Sequence, residues 1–196
     1  MEMPVFTIRG KNHRERGVDY GVQCKELIQG VLERYIRFFN GGHTAVSWDE
    51  AKVISKEFLP FIRSYSPELL DELEGIAQGA DVEFDDLLTL NSRSEAMTLV
   101  RRPPSDKEEL DGCSSVAVLP DASANGHTIL AQNWDTYTWQ EYGTVILQIL
   151  RDDGPDLMIV TEAGQLARYG MNQAGIALGV NSLQKTFWNP ICIYPP

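Results

Sequence analysis

Up to about residue 112, apolar positions return at helical spacing; beyond it they come in short runs separated by turn residues. Val18, Val22, Leu27, Val31, Tyr35 and Phe38 recur with Glu26, Glu33 and Arg37 between them, which predicts a first helix. The stretch "SWDE", Ser47 to Glu50, sets a hydroxyl three residues ahead of a glutamate in the form of a capping box. It predicts a second helix reaching about Tyr65. Ser66 as cap and Pro67 at the first helical position open a third, which Gly79 closes. "FDDLLTLNSRSEAM" predicts a fourth, with aspartates at its positive N-terminal end.

The second half reads as hairpins in series. "CSSVAVL" leads through "PDASANG" to "HTILAQN", and "GTVILQIL" leads through "RDDGPD" to "LMIVTEA". "LARYGM" leads through "NQAG" to "IALGVN". Consecutive hairpins predict a largely antiparallel sheet, and helices followed by strands predict an α+β class. The expected organisation is a helical segment over 1–112, with an exposed linker at about 101–111, and a β segment over 113–196. That linker, "RRPPSDKEELD", is polar and proline-containing, a suitable place for a scissile bond.

Composition narrows the function classes. With 43% hydrophobic and 23% charged residues, the 196-residue chain reads as one globular domain with a sizeable core. A formal net charge of -11 argues against nucleic acid and against an anionic membrane surface as partners. The start, "MEMPVFTIRG", lacks the form of a signal peptide, no apolar run reaches bilayer length, and the final "YPP" matches no sorting tag. A cytoplasmic location is expected, with a peroxisomal one open to a longer form. Cys24, Cys113 and Cys192 are an odd set without pairing-like spacing, which favours free thiols in a reducing compartment. His13, His43 and His127 show no metal-ligand spacing, so neither a metal nor a bound cofactor is expected.

Cys113 stands where the polar linker turns into a strand. If the following turn centres near residues 123 and 124, Cys113 faces Trp134 or Asp135 on the returning strand. Directly opposed residues have Cβ atoms about 4.5–5.5 Å apart, which brings a carboxylate beside the thiol's residue. No histidine is placed to activate that thiol. Cutting the Gly112–Cys113 bond would supply an α-amine titrating at about 7.7–8.0, suited to taking a thiol proton. Gly112, without a Cβ, lets the backbone distort during such a cut. The residues alone leave two readings open, a self-exposed nucleophile or a buried strand cysteine.

"DGCSS", "AQNWD", "TEAG" and "GMNQAGIALGVNSL", with "LNSRSE" ahead of the linker, together resemble the isopenicillin N acyltransferase family. These are cysteine N-terminal nucleophile (Ntn) hydrolases, similar in chemistry to the choloylglycine hydrolases. The resemblance implies a precursor with a helical pro-segment that cleaves itself between Gly112 and Cys113, giving an α/β heterodimer of fragments. It implies Cys113 as nucleophile, Asp135 as an orienting carboxylate and Asn181 as a contributor to the oxyanion hole. The fold implied is the αββα four-layer sandwich. The substrate implied is a small acyl amide, with acyl-CoA as a further co-substrate.

The end of the chain, "KTFWNPICIYPP", departs from the family's continuation, in which relatives carry further strands and later donors, an asparagine and an arginine. A C-terminally truncated member with an incomplete sandwich is therefore expected. Two classes of function follow: an enzyme forming a thioester on Cys113, or a remnant that binds without turnover. Other residues have plainer readings. Glu162 reads as a turn or strand-end carboxylate, Arg93 and Glu95 as a structural ion pair, and Cys24 as packing. Trp134, Tyr137 and Trp139 suit either an acyl pocket or the core, and Asn172 belongs to a turn.

Overall fold

The computed structural model describes residues 3–99 and 112–181. Residues 101–111, read as a linker, and the tail after Gln184 lie outside the described residues. The chain divides into two compact units, one of Met1–Glu109 with Thr136–Leu178, the other of Leu110–Asp135 with Gly179–Pro196.

The first unit is α+β. It holds β1 (Val5–Ile8), α1 (His13–Gln23), α2 (Lys25–Phe38), α3 (Trp48–Lys56), α4 (Leu59–Tyr65), α5 (Pro67–Ala80) and α6 (Phe84–Leu99). After these come β4 (Thr144–Ile149), β5 (Leu157–Glu162), β6 (Tyr169–Asn172) and β7 (Ala177–Leu178). The sheet order is β1-β4-β5-β6-β7. All pairs are antiparallel except β1 with β4, which run parallel with Val5 beside Ile146. The antiparallel expectation holds from β4 onward. No local pattern marks β1, because "VFTI" is too short to show alternation and its partner lies far along the chain.

Alternation fixes which face of the sheet is covered. Val145, Leu147 and Ile149 of β4 and Ile159 of β5 join Ile28, Ile76, Leu87 and Leu90 of the helices in one core. Among the described residues no helix is long and apolar enough to cross a membrane.

The helix boundaries show which local chemistry decided them. Ser47 and Glu50 form the expected capping box: Ser47 Oγ accepts from the Glu50 N–H at 3.3 Å, and Glu50 Oε2 accepts from the Ser47 N–H at 2.8 Å. The single helix expected from there to Tyr65 is instead α3 and α4. Pro60 lacks an N–H and its ring crowds the carbonyl four residues back, so the ladder stops at Glu57 and restarts. The first expected helix is likewise broken, at Cys24.

α1 also buries a different face from the one its valines suggested. Val22 is 59% exposed, while Gly17, Tyr20 and Gly21 are buried. The cause is a backbone-to-backbone contact with α5. A Cβ on Gly17 would lie 2.1 Å from the Glu72 carbonyl oxygen, and one on Gly75 would lie 2.3 Å from that of Arg14. Gly21 against Ile76 and Gly79 against Val18 repeat the arrangement at 2.4 and 2.3 Å. In an exposed helix Gly→Ala gains about 1 kcal/mol. Here the added methyl meets fixed backbone, and Gly75→Ala should cost about 1–3 kcal/mol net. A urea melt with an unchanged midpoint would contradict it.

Candidate active site

The second unit is built on a hairpin of β2 (Ser114–Val118) and β3 (Ile129–Asn133). Its register runs from Ser114 opposite Asn133 to Val118 opposite Ile129, so the turn centres between residues 123 and 124 as expected. Gly126 takes a positive φ of 69° on the way back, a conformation glycine adopts without steric cost. Continuing the register by one pair sets Cys113 against Trp134.

Cys113 is half-buried and its Sγ donates to the carbonyl oxygen of Asp135 at 3.8 Å. The thiol therefore meets the backbone of Asp135. The carboxylate is held elsewhere, with Oδ1 accepting from Asn133 Nδ2 at 2.8 Å. Asn181 comes to the same hairpin. Its Nδ2 donates to Ser115 Oγ at 2.8 Å, and its Oδ1 accepts from Gln132 Nε2 at 3.1 Å. Successive side chains on a strand alternate faces, so Ser115 and Cys113 share one, about 6.6–6.8 Å apart along the strand. The three site residues named from the sequence are thus brought to one end of one hairpin. Among the described residues a Cβ on Gly112 would meet no atom within 4 Å.

The two described cysteines contrast. Cys24 is 1% exposed, and burial, helped by the Asp19 charge, pushes its thiol up to about 12. It is a packing residue, as read. Cys113 is the reachable thiol of the two. Cys192 lies outside the described residues.

The first unit carries a second polar cluster, centred on Glu162 at the end of β5. This carboxylate is 1% exposed. Its Oε2 accepts from Tyr35 Oη and Gln165 Nε2, each at 2.6 Å, and its Oε1 accepts from Gln140 Nε2 at 2.7 Å. Arg93 and Arg168 lie at 3.5 and 3.7 Å. Arg93 thus pairs with Glu162, while Glu95 is exposed. Burial drives the Tyr35 phenol well above its ordinary range, partly offset by the Arg93 charge. Gln140 also accepts from the Thr136 hydroxyl and, at 3.1 Å, from the Tyr137 N–H. The turn after Glu162 is gripped as well, since Asn91 donates to the Gly164 carbonyl and accepts from the Leu166 N–H, both at 2.9 Å. Gly164 has a φ of 93° there, which calls for glycine. Nearby, Trp139 is half-buried against Tyr35 and Phe38, and Tyr137 is 57% exposed.

No protein-family model matches the chain. Over 84% of its length it is 30% identical to the acyl-coenzyme A:6-aminopenicillanic-acid-acyltransferase 40 kDa form of Emericella nidulans, of which it covers 44%. Over 92% of its length it is 27% identical to the β-alanyl-dopamine/carcinine hydrolase of Drosophila melanogaster, of which it covers 49%. Both similarities support an isopenicillin N acyltransferase-like family. It spans just under half the length of these relatives, one named as an acyltransferase and the other as a hydrolase.

Three groups around the family motif "AQNWD" and its partner strand had no place in the sequence reading: Gln132, Asn133 and Ser115. The hairpin register contains the signal for two of them, because it pairs Ser115 with Gln132 across the strands. Gln132 then reaches Asn181 and Asn133 reaches Asp135, contacts that need the folded backbone to be seen.

Proposed function

We propose that this family member is a self-processing cysteine Ntn hydrolase that cleaves or transfers acyl groups at amide bonds. Maturation begins with attack of Cys113 Sγ on the Gly112 carbonyl. The C–N bond breaks, the thiol proton passes to the departing amine, and Gly112 is held as a thioester. Water then hydrolyses that thioester to the Gly112 carboxylate and a free thiol, leaving Cys113 with its own α-amine. In turnover that amine takes the thiol proton, the thiolate attacks the substrate carbonyl, and Asn181 Nδ2 donates to the developing oxyanion. The leaving amine receives the proton, and water or an acceptor amine releases the acyl group.

One observation carries the reading: a reachable thiol at a strand end, with the carboxamide of Asn181 docked on the same hairpin face. The two relatives' names, an acyltransferase and a hydrolase, support amide and acyl chemistry. A small acyl amide is the substrate class proposed, with acyl-CoA as an acyl donor. The accompanying fold reading is the αββα sandwich. In its support, the sheet of the first unit is packed by helices on one face and carries exposed Val5, Met158 and Met171 on the other.

Intact mass spectrometry should show a fragment beginning at Cys113, and the cleaved protein should release dopamine from β-alanyl-dopamine. Asp135→Asn should keep the fold and slow turnover by about a hundredfold, because the backbone beside the thiol loses the charge that anchors it through Asn133. Equal thiol alkylation and equal turnover in wild type and Asp135→Asn would make Asp135 structural only. An uncut, inert wild type would sink the proposal.

A further inference from the structure

Resting on that reading, we infer that Gln132 is a positioning residue, which aims the Asn181 carboxamide at the carbonyl attacked by Cys113. Gln132 spans the hairpin and the segment that brings Asn181 to it. Its Oε1 accepts from the Val180 N–H at 3.0 Å, and its Nε2 donates to Asn181 Oδ1 at 3.1 Å. The same Nε2 donates to the carbonyls of Ser114 at 3.2 Å and Asn133 at 2.9 Å, so the amide plane is anchored on both strands. Two hydrogens shared among three acceptors is a bifurcated arrangement that fixes orientation.

The orientation transmits directly to Asn181. A carboxamide has one acceptor oxygen and two N–H donors. With its oxygen held by Gln132, the Nδ2 group is forced to the opposite side, where one hydrogen goes to Ser115 Oγ. Among the described residues that is the hydrogen bond Nδ2 makes, and the second N–H is left to aim at substrate. A flipped amide would set its oxygen against Ser115 and present a lone pair to a developing oxyanion. Gly179 makes the close approach feasible, since a Cβ there would lie 2.8 Å from Gln132 Oε1 and 3.3 Å from Ser115 Cβ.

The test compares wild type, Gln132→Met, Gln132→Glu, Asn181→Ala and the Gln132→Met/Asn181→Ala double variant of the full chain, with β-alanyl-dopamine as probe. Asn181→Ala should lower kcat about 10²–10³-fold. Gln132→Met, of similar shape but without hydrogen bonds, should lower kcat roughly 10–100-fold at nearly constant KM. The double variant should be no slower than Asn181→Ala alone, because Gln132 acts only through Asn181. Gln132→Glu keeps the acceptor for Val180 and loses the donor to Asn181. It should therefore lose kcat while Val180 amide exchange stays slow, whereas Gln132→Met should speed that exchange roughly fivefold. An unchanged kcat in Gln132→Met, or losses that multiply in the double variant, would overturn the inference while leaving the proposed chemistry standing. An inert wild type removes both. If Gln132→Met does not fold, Gln132→Glu carries the same kcat comparison.

Discussion

Cys113→Ala is expected to leave the chain uncut at Gly112 and without amide-cleaving activity. The reason is chemical economy: in the proposed mechanism one sulfur opens its own peptide bond and later carries the acyl group, so a single substitution removes both steps. Cys113→Ser should separate them. A hydroxyl is a much weaker nucleophile at neutral pH than a thiol, so cleavage should become slow rather than vanish, and turnover should fall further than binding. Cys24 serves as the internal control. Its thiol sits in the core with its ionisation pushed up to about 12, so it should resist alkylation in the folded protein. Peptide mapping after brief iodoacetamide treatment should find Cys113 labelled and Cys24 untouched. Cleavage before residue 113 in Cys113→Ala, or rapid labelling of Cys24, would overturn the assignment of roles.

Glu162→Gln should cost the fold about 3–5 kcal/mol, the range for breaking a buried ion pair by removing one partner. The substitution is nearly isosteric, so the loss reports charge and donor geometry rather than volume. Gln140, Gln165, Tyr35 and Arg93 all point donors at this carboxylate, and an amide in its place turns two of its own hydrogens toward them. Stability of a domain is only about 5–15 kcal/mol, so such a loss lowers the yield of folded protein visibly. The comparison is Glu33→Gln. Glu33 pairs with Arg37 one turn along α2 at 2.7 Å, but both side chains are well exposed, and such pairs contribute about 0.3–0.5 kcal/mol. Urea melts of the two variants should differ by several kcal/mol. Equal midpoints would mean that the buried cluster is not what its geometry says.

Much of the site was legible because hairpin registers obey arithmetic. A turn centred at residues 123 and 124 puts Cys113 opposite Trp134, and the strands pair in that register. What the register does not contain is where a side chain spends its polar atoms. The thiol meets the carbonyl of Asp135, and the carboxylate turns back to Asn133. Asn181 was named through the family motif, and its partners Gln132 and Ser115 became visible only once the segment after β7 was seen to come back along the hairpin. Glu162 shows the opposite limit. A strand-end glutamate is ordinary in sequence, and its burial depends on groups from α2, α6 and the stretch before β4, which no local pattern assembles. The helices failed at two local signals that had been readable, Pro60 inside an apparent helix and the glycines of α1.

The four glycines shared by α1 and α5 bear on the strand at the N-terminus. Each receives a carbonyl of the opposite helix, so the pair interlocks like a key in its wards and admits one axial setting. Sliding by a turn would bring His13 against Gly75 or Asp71 against Gly17, into a notch sized for hydrogen. α1 also grips the end of β1 directly, Asp19 accepting from the Arg9 N–H at 2.8 Å and Gln23 donating to the Thr7 carbonyl at 3.0 Å, so the same lock bears on how far the strand can travel along β4. A slip of one residue there would turn Ile8 out of the core and Thr7 into it. The registration of a sheet edge is thus decided between two helices that contribute no strand to it.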